Sequence, residues 1–208
     1  MASGQKRLAL DRGTIHAFIW APPGQFVVDT PSAVTVDLGC AYTLHVDDTG
    51  AGIVRTSLGW VGFKLNGHES FIPAGAACAT RPKVGPGTPY FEDASAAFRS
   101  ALERFDFEDS TSQQRAHDVA IVLGEARKRD ALTLWHLLAR VEEGQRVLVY
   151  ERLSQLVPPP ATVTREGILR FDQPMLDLWW NELGFDDISV WRYWERSWAG
   201  TVTPVREK

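Results

Sequence analysis

Residues 42–57 read Tyr42-Thr43-Leu44-His45-Val46-Asp47-Asp48-Thr49-Gly50-Ala51-Gly52-Ile53-Val54-Arg55-Thr56-Ser57. Two runs rich in β-branched residues alternate apolar with polar positions. Between them, Asp47-Asp48-Thr49-Gly50 supplies the Asx and glycine chemistry that hairpin loops need for positive φ. The same texture extends outward in both directions, from Leu8 to about Thr80, broken every few residues by Gly, Pro or Asp. Upstream lie Leu8-Ala9-Leu10, Thr14 to Trp20, Gln25 to Asp29 and Val34 to Leu38; downstream lie Trp60 to Leu65, a Leu65-Asn66-Gly67-His68 turn, and Ser70-Phe71-Ile72. Short β-rich runs with regular turn signals predict an antiparallel all-β module, a roll or sandwich built by local hairpins with a continuous sheet.

Beyond Pro82 the period changes. Lys83-Val84-Gly85-Pro86-Gly87-Thr88-Pro89 cannot carry a helix or a central strand, because its prolines lack donors and its glycines add backbone freedom. After it the apolar spacing is helical. Asp93 or Ser95 caps a helix through Phe98, Leu102 and Phe105; a second starts at Ser112; Asp130 caps a third; a fourth runs from Glu143 to Val157 and stops at Pro158-Pro159-Pro160. Thr162 to Phe171 reads as irregular, and Gln173-Pro174-Met175 opens a last helix. The third and fourth helices form a HEAT-like helical hairpin inside a small bundle. The expected class is α+β, with a β module over 1–82, a Gly/Pro linker over 83–92 and an α-helical domain over 93–208.

Charge excludes one class of partner. Residues 1–91 hold 7 Lys and Arg against 6 Asp and Glu, and residues 92–208 hold 15 against 20. Neither half has the basic excess of a nucleic-acid binder. No run of about 20 apolar residues exists to span a membrane, and the first residues lack the apolar stretch of a signal peptide. Strand-like sequence starting almost at once at Leu8 suggests a fragment of a longer polypeptide. Cys40 and Cys78 are too few for a cysteine-only zinc site, and they leave a single disulfide or two buried thiols equally open.

The β half presents an order of features that resembles the FecR domain. These are Gly13-Thr14-Ile15, Val28-Asp29-Thr30-Pro31, Leu38-Gly39-Cys40-Ala41-Tyr42, Val54 to Val61 around Gly59, and Ile72-Pro73-Ala74-Gly75, covering about residues 8–80. The departure is Gly39-Cys40-Ala41-Tyr42, where the common pattern is Gly-Thr-x-Phe. The resemblance implies a periplasmic or extracytoplasmic platform, part of a longer membrane-anchored protein, that relays a signal to a sigma factor through protein–protein contacts as anti-sigma regulators do. Physically, Gly13, Gly39, Gly59 and Gly75 are where a compact β module must turn or let backbones approach.

Chemistry is sparse. The five histidines are scattered, and none has the i, i+4 spacing of a helical metal site. His16 and His45 could converge with Asp29 or Asp37 on one sheet face, which keeps a low-weight enzyme reading open. No nucleophile elbow, phosphate loop or dinucleotide motif is present. The acidic pairs Glu92-Asp93 and Asp186-Asp187 read as helix-terminus charges. No cofactor or metal is expected, and no catalysis. Exposed aromatics, Trp20, Trp60, Trp191, Trp194 and Trp198, are the candidate interaction residues, for a protein partner or, as the alternative, an envelope polysaccharide.

Overall fold

Asp47 closes the central hairpin with its own carboxylate: Oδ1 accepts from the Thr49 amide (2.8 Å), the Thr49 hydroxyl (2.6 Å) and the Ala51 amide (3.1 Å), while Gly50 takes φ +80°. The computed structural model describes residues 6–20, 24–65 and 68–185. In chain order the strands are β1 (Lys6–Ala9), β2 (Gly13–Phe18), β3 (Phe26–Asp29), β4 (Val34–Asp37), β5 (Ala41–Val46) and β6 (Gly52–Leu58). They continue with β7 (Trp60–Leu65), β8 (His68–Pro73), β9 (Ala76–Arg81) and the two-residue β10 (Gly85–Pro86) and β11 (Tyr90–Phe91).

Two sheets form where one continuous sheet was expected. The first has the order β1-β3-β4-β7-β8, and the second β10-β9-β6-β5-β2 with β11 also on β9. All pairs are antiparallel except β1 with β3, which is parallel. The chain changes sheets three times between β4 and β9, and each change occurs at a glycine of positive φ: Gly39 (+82°), Gly59 (+65°) and Gly75 (+82°). A Cβ on Gly59 would lie 2.2 Å from the Gly39 carbonyl oxygen, so two of these crossings are in backbone contact. The third joins them, since the amides of Ala74 and Gly75 donate to the carbonyls of Gly59 (3.0 Å) and Thr56 (2.8 Å).

Alternation places Val61, Phe63 and Ile72 of the first sheet against Leu44, Val54 and Cys78 of the second, all buried. The strand β9 did not stand out in the sequence because it reads Ala-Ala-Cys-Ala-Thr-Arg. Its Ala76, Ala77 and Cys78 are fully buried, and small side chains suit a strand covered on both faces. The 83–92 stretch, expected as a linker, instead runs back along β9: Gly85 and Pro86 face Arg81 and Thr80, and Tyr90 and Phe91 face Ala77 and Ala76. Its prolines break this pairing into two-residue pieces.

The helices are α1 (Ala96–Phe107), α2 (Ser112–Glu125), a 3₁₀ turn (Lys128–Asp130) leading into α3 (Ala131–Leu137), α4 (Glu143–Leu156), α5 (Arg165–Leu169) and α6 (Gln173–Glu182). Ser95 caps α1 by accepting from the Phe98 amide (3.1 Å), and Thr111 caps α2 through Gln114 (3.2 Å). Asp130 does not cap α3; its carboxylate holds the Arg127 amide and guanidinium. The short α5, inside a stretch expected to be irregular, starts on Thr164, whose hydroxyl accepts from the Gly167 amide (3.1 Å). The fold is α+β, a β sandwich followed by helices, and the buried side chains of both halves belong to one core. Trp180 of α6 meets Phe71 (6.2 Å between ring centroids) and Trp60 (6.1 Å) on the first sheet's outer face.

Candidate functional site

Among the described residues, the most exposed apolar side chains lie where two sheet edges meet. Among the described residues, strands β1 and β2 each end a sheet, so each leaves one row of backbone donors and acceptors without a strand partner there. The Ile19 amide donates to the Cys40 carbonyl (3.0 Å), which by strand alternation turns the backbone groups of His16 and Phe18 away from β5. Phe18 is 65% exposed and Trp20 86%, their rings packed edge to face at 5.7 Å. Leu8, Ile15, Ile19 and Phe26 extend this surface into an open cleft of about 570 Å³. Arg7 on β1 is held by Asp29 on β3, with a second contact at 2.7 Å.

The other expected positions separate. Trp60 is half-buried, its ring beside Trp180. Trp191, Trp194, Trp198 and the Asp186-Asp187 pair lie outside the described residues, as does the Asn66-Gly67 turn. His16 and His45 share the second sheet's outer face, each tied to a threonine across the strand pair, His16 to Thr43 (3.0 Å) and His45 to Thr14 (2.8 Å). No carboxylate joins them: Asp29 is on the first sheet with Arg7, and Asp37 is buried inside the sandwich. The enzyme reading loses its constellation, and among the described residues no group of three His, Cys, Asp or Glu could hold a metal ion.

Both cysteines are free and buried. Cys78 lies opposite Val54, and Val54 opposite Leu44, so β6 separates Cys78 from β5, while Cys40 lies four residues before Leu44. Two strand spacings of about 4.8 Å and a further offset along the strand exceed the roughly 7 Å that a disulfide's Cα atoms tolerate. The Cys40 thiol donates to Asp37 Oδ1 (2.7 Å) and the Cys78 thiol to the Gly87 carbonyl (3.2 Å). Burial pushes the Cys78 thiol up to about 12 and raises that of Cys40 further, with the Asp37 hydrogen bond adding to it, so neither is a ready nucleophile. Burial also raises the Asp37 carboxyl, against the hydrogen bonds from Cys40 and nearby amides.

Two further features draw residues from both halves. A cleft of about 400 Å³ lies between α1 and the outer face of β5, β6 and β9, with Ile53 and Ala79 on one side and Arg99, Ser100 and Glu103 on the other. Beside it a polar bolt crosses the seam. Arg140 donates to the carbonyls of Pro86 (3.0 Å) and Glu69 (3.1 Å) and to the Ser70 hydroxyl (2.8 Å). Asp106, with its side chain only 6% exposed, accepts from the Thr88 amide (2.6 Å) and hydroxyl (2.8 Å). The Phe71 amide donates to His136 Nε2 (3.1 Å), which leaves the ring proton on Nδ1 to donate to the Leu132 carbonyl (2.8 Å). No motif announced either feature, because the partners across the seam come from segments between 18 residues (Thr88 and Asp106) and 71 residues (Glu69 and Arg140) apart.

No protein-family model matches this chain, and no curated protein does. A solved structure that is similar in part is a provisionally assigned anti-sigma factor from Parabacteroides distasonis, at 15% identity and a TM-score of 0.36 over 56% of each chain. This chain thus spans about half the length of that neighbour, and a likeness so partial carries no argument about what the chain binds.

Proposed function

We propose that this chain is a non-catalytic, FecR-like regulatory module that docks an extended segment of an envelope signalling protein along the open edge of β2. One observation carries the reading: Phe18 and Trp20, 65% and 86% exposed, stand beside a strand edge whose backbone groups have no partner strand among the described residues. An added strand would satisfy those groups, and the two aromatics and Leu8 would supply the apolar contacts that give such pairing its strength. The proposal includes an extracytoplasmic location and a route to a sigma factor, both drawn from the FecR resemblance.

The test uses a photo-crosslinking amino acid at position 20 in cells, with position 148 on α4, where Leu148 is likewise exposed, as the control. A single protein adduct from position 20, identified as an envelope signalling component and lost when His16→Pro blocks the edge, is the expected result. Absence of a position-specific protein adduct overturns it. The exposed indole of Trp20 also suits stacking on a sugar ring, which favours envelope polysaccharide as the second reading. Retention on immobilised polysaccharide, abolished by Trp20→Ala but untouched by His16→Pro, would select it.

A further inference from the structure

We propose that the cleft between α1 and β5, β6 and β9 binds a small molecule through a carboxylate group, held by Arg99, Tyr90 and Ser100. A count of hydrogen-bonding groups points to the charge of the ligand. Each acidic side chain at the cleft is already engaged: Glu103 with Arg81 (2.7 Å), Asp106 with Thr88 (2.6 Å), and Asp47 within its own turn. The donors are not. Among the described residues, the Arg99 guanidinium and the Tyr90 and Ser100 hydroxyls line the cleft without a hydrogen-bond partner. The Tyr90 phenol lies within the fields of both Arg55 and Arg99, and Arg55 is committed to Glu92 (2.8 Å). One uncommitted guanidinium and two hydroxyls lining the same cleft form a donor set in search of an oxyanion.

A carboxylate fits this set better than a phosphate. The planar guanidinium fork matches two carboxylate oxygens. A doubly charged phosphate is usually met by several cations or a run of backbone amides, and among the described residues this cleft offers one free cation. Ile53, Ala79 and the Phe107 ring, itself under the Arg81 guanidinium at 4.8 Å, provide an apolar wall for the rest of the ligand. The 400 Å³ volume is in the range of small-molecule sites. The lining comes from the β strands and from α1, so an occupant would bridge the two halves. None of this depends on the edge of β2.

Calorimetric titration of the full chain with N-acetyl-leucine and with N-acetyl-leucinamide, which differ only in the carboxylate, tests the proposal. Saturable binding of the acid and not of the amide is expected. Arg99→Gln should weaken it by about tenfold or more and Tyr90→Phe by roughly threefold, with Lys128→Gln, a distant exposed cation, unchanged. Ala-Ala-Leu with a free or amidated C-terminus separates the two sources of such a group. Tighter binding of the free tripeptide assigns the site to a chain end, and tighter binding of N-acetyl-leucine to a free acid. Equal binding of acid and amide, failure of both carboxylate probes to saturate, or an Arg99→Gln titration like that of the unaltered chain overturns the proposal.

Discussion

Replacing His136 by glutamine should make the stability of the protein less sensitive to acid. The ring is 4% exposed, accepts from the Phe71 amide and donates to the Leu132 carbonyl, so the folded protein holds it neutral. Burial is the main cause that lowers its pKa from 6.5 to about 3; Arg140 pushes the same way, and the Leu132 hydrogen bond opposes both. The unfolded chain takes up a proton near pH 6.5 that the folded chain refuses until near pH 3, so acid favours unfolding throughout that window. Between about pH 7.5 and about pH 5.5 the linkage amounts to about 1.4 kcal/mol of lost stability, growing to about 2.7 kcal/mol by about pH 4.5. Asp37 and Asp106 work in the opposite direction, since their raised pKa values favour the folded state at low pH, but both are present in the variant and cancel in the difference. Urea unfolding followed by tryptophan fluorescence across this range gives the two curves. His136→Gln should be less stable at neutral pH yet lose less on acidification, the gap closing by the amounts given. Parallel curves would refute the account of a buried neutral imidazole.

Gly59→Ala should cost about 3 kcal/mol or prevent folding, because it combines positive φ with a Cβ 2.2 Å from the Gly39 oxygen; Gly13→Ala, with open space around it, should cost only about 1 kcal/mol by thermal unfolding. Arg104→Ala strips its partner from the fully buried Asp118 and should destabilise by about 3 kcal/mol, with Asp118→Asn in the same background recovering part of the loss in urea melts. Thiol titration should find no reactive cysteine in the folded chain and both in denaturant, in unreduced protein. Phe18→Ser with Trp20→Ser should leave stability within about 0.5 kcal/mol, since both rings face solvent.

Alternation and turn chemistry made most of the fold legible. Leu44, Val54 and Val61 repeat with period two because one face of each strand is buried, and Ser95 marks its helix start because a hydroxyl there satisfies an orphan amide. What stayed hidden depended on tertiary contact. Ala76 to Ala79 carries no strand signature, since its smallness answers to what covers it; a five-residue α5 is too short for a helical period; and no local pattern says whether hairpins share a sheet. Trp20, singled out in the sequence as an exposed aromatic, does face solvent. Trp60 was not distinguishable from it, as the ring that covers it, Trp180, lies far along the chain. Arg99, Tyr90 and Ser100 are ordinary surface residues until α1 is laid across β6 and β9.

The three crossings at Gly39, Gly59 and Gly75 have a consequence for cooperativity and for kinship. The chain is laced between the sheets, so the first is not complete until β8 is in place and the second not until β9 follows it, and the sandwich should exchange its slowest amides as a single unit rather than sheet by sheet. The same glycines are among the residues by which the sequence resembles a signalling family. What they record is a lacing pattern, which any protein threading two sheets in this manner would inherit whatever it recognises. Likeness of that sort is a statement about topology, whereas Phe18 and Trp20 face solvent at the edge and are free to vary without disturbing the weave.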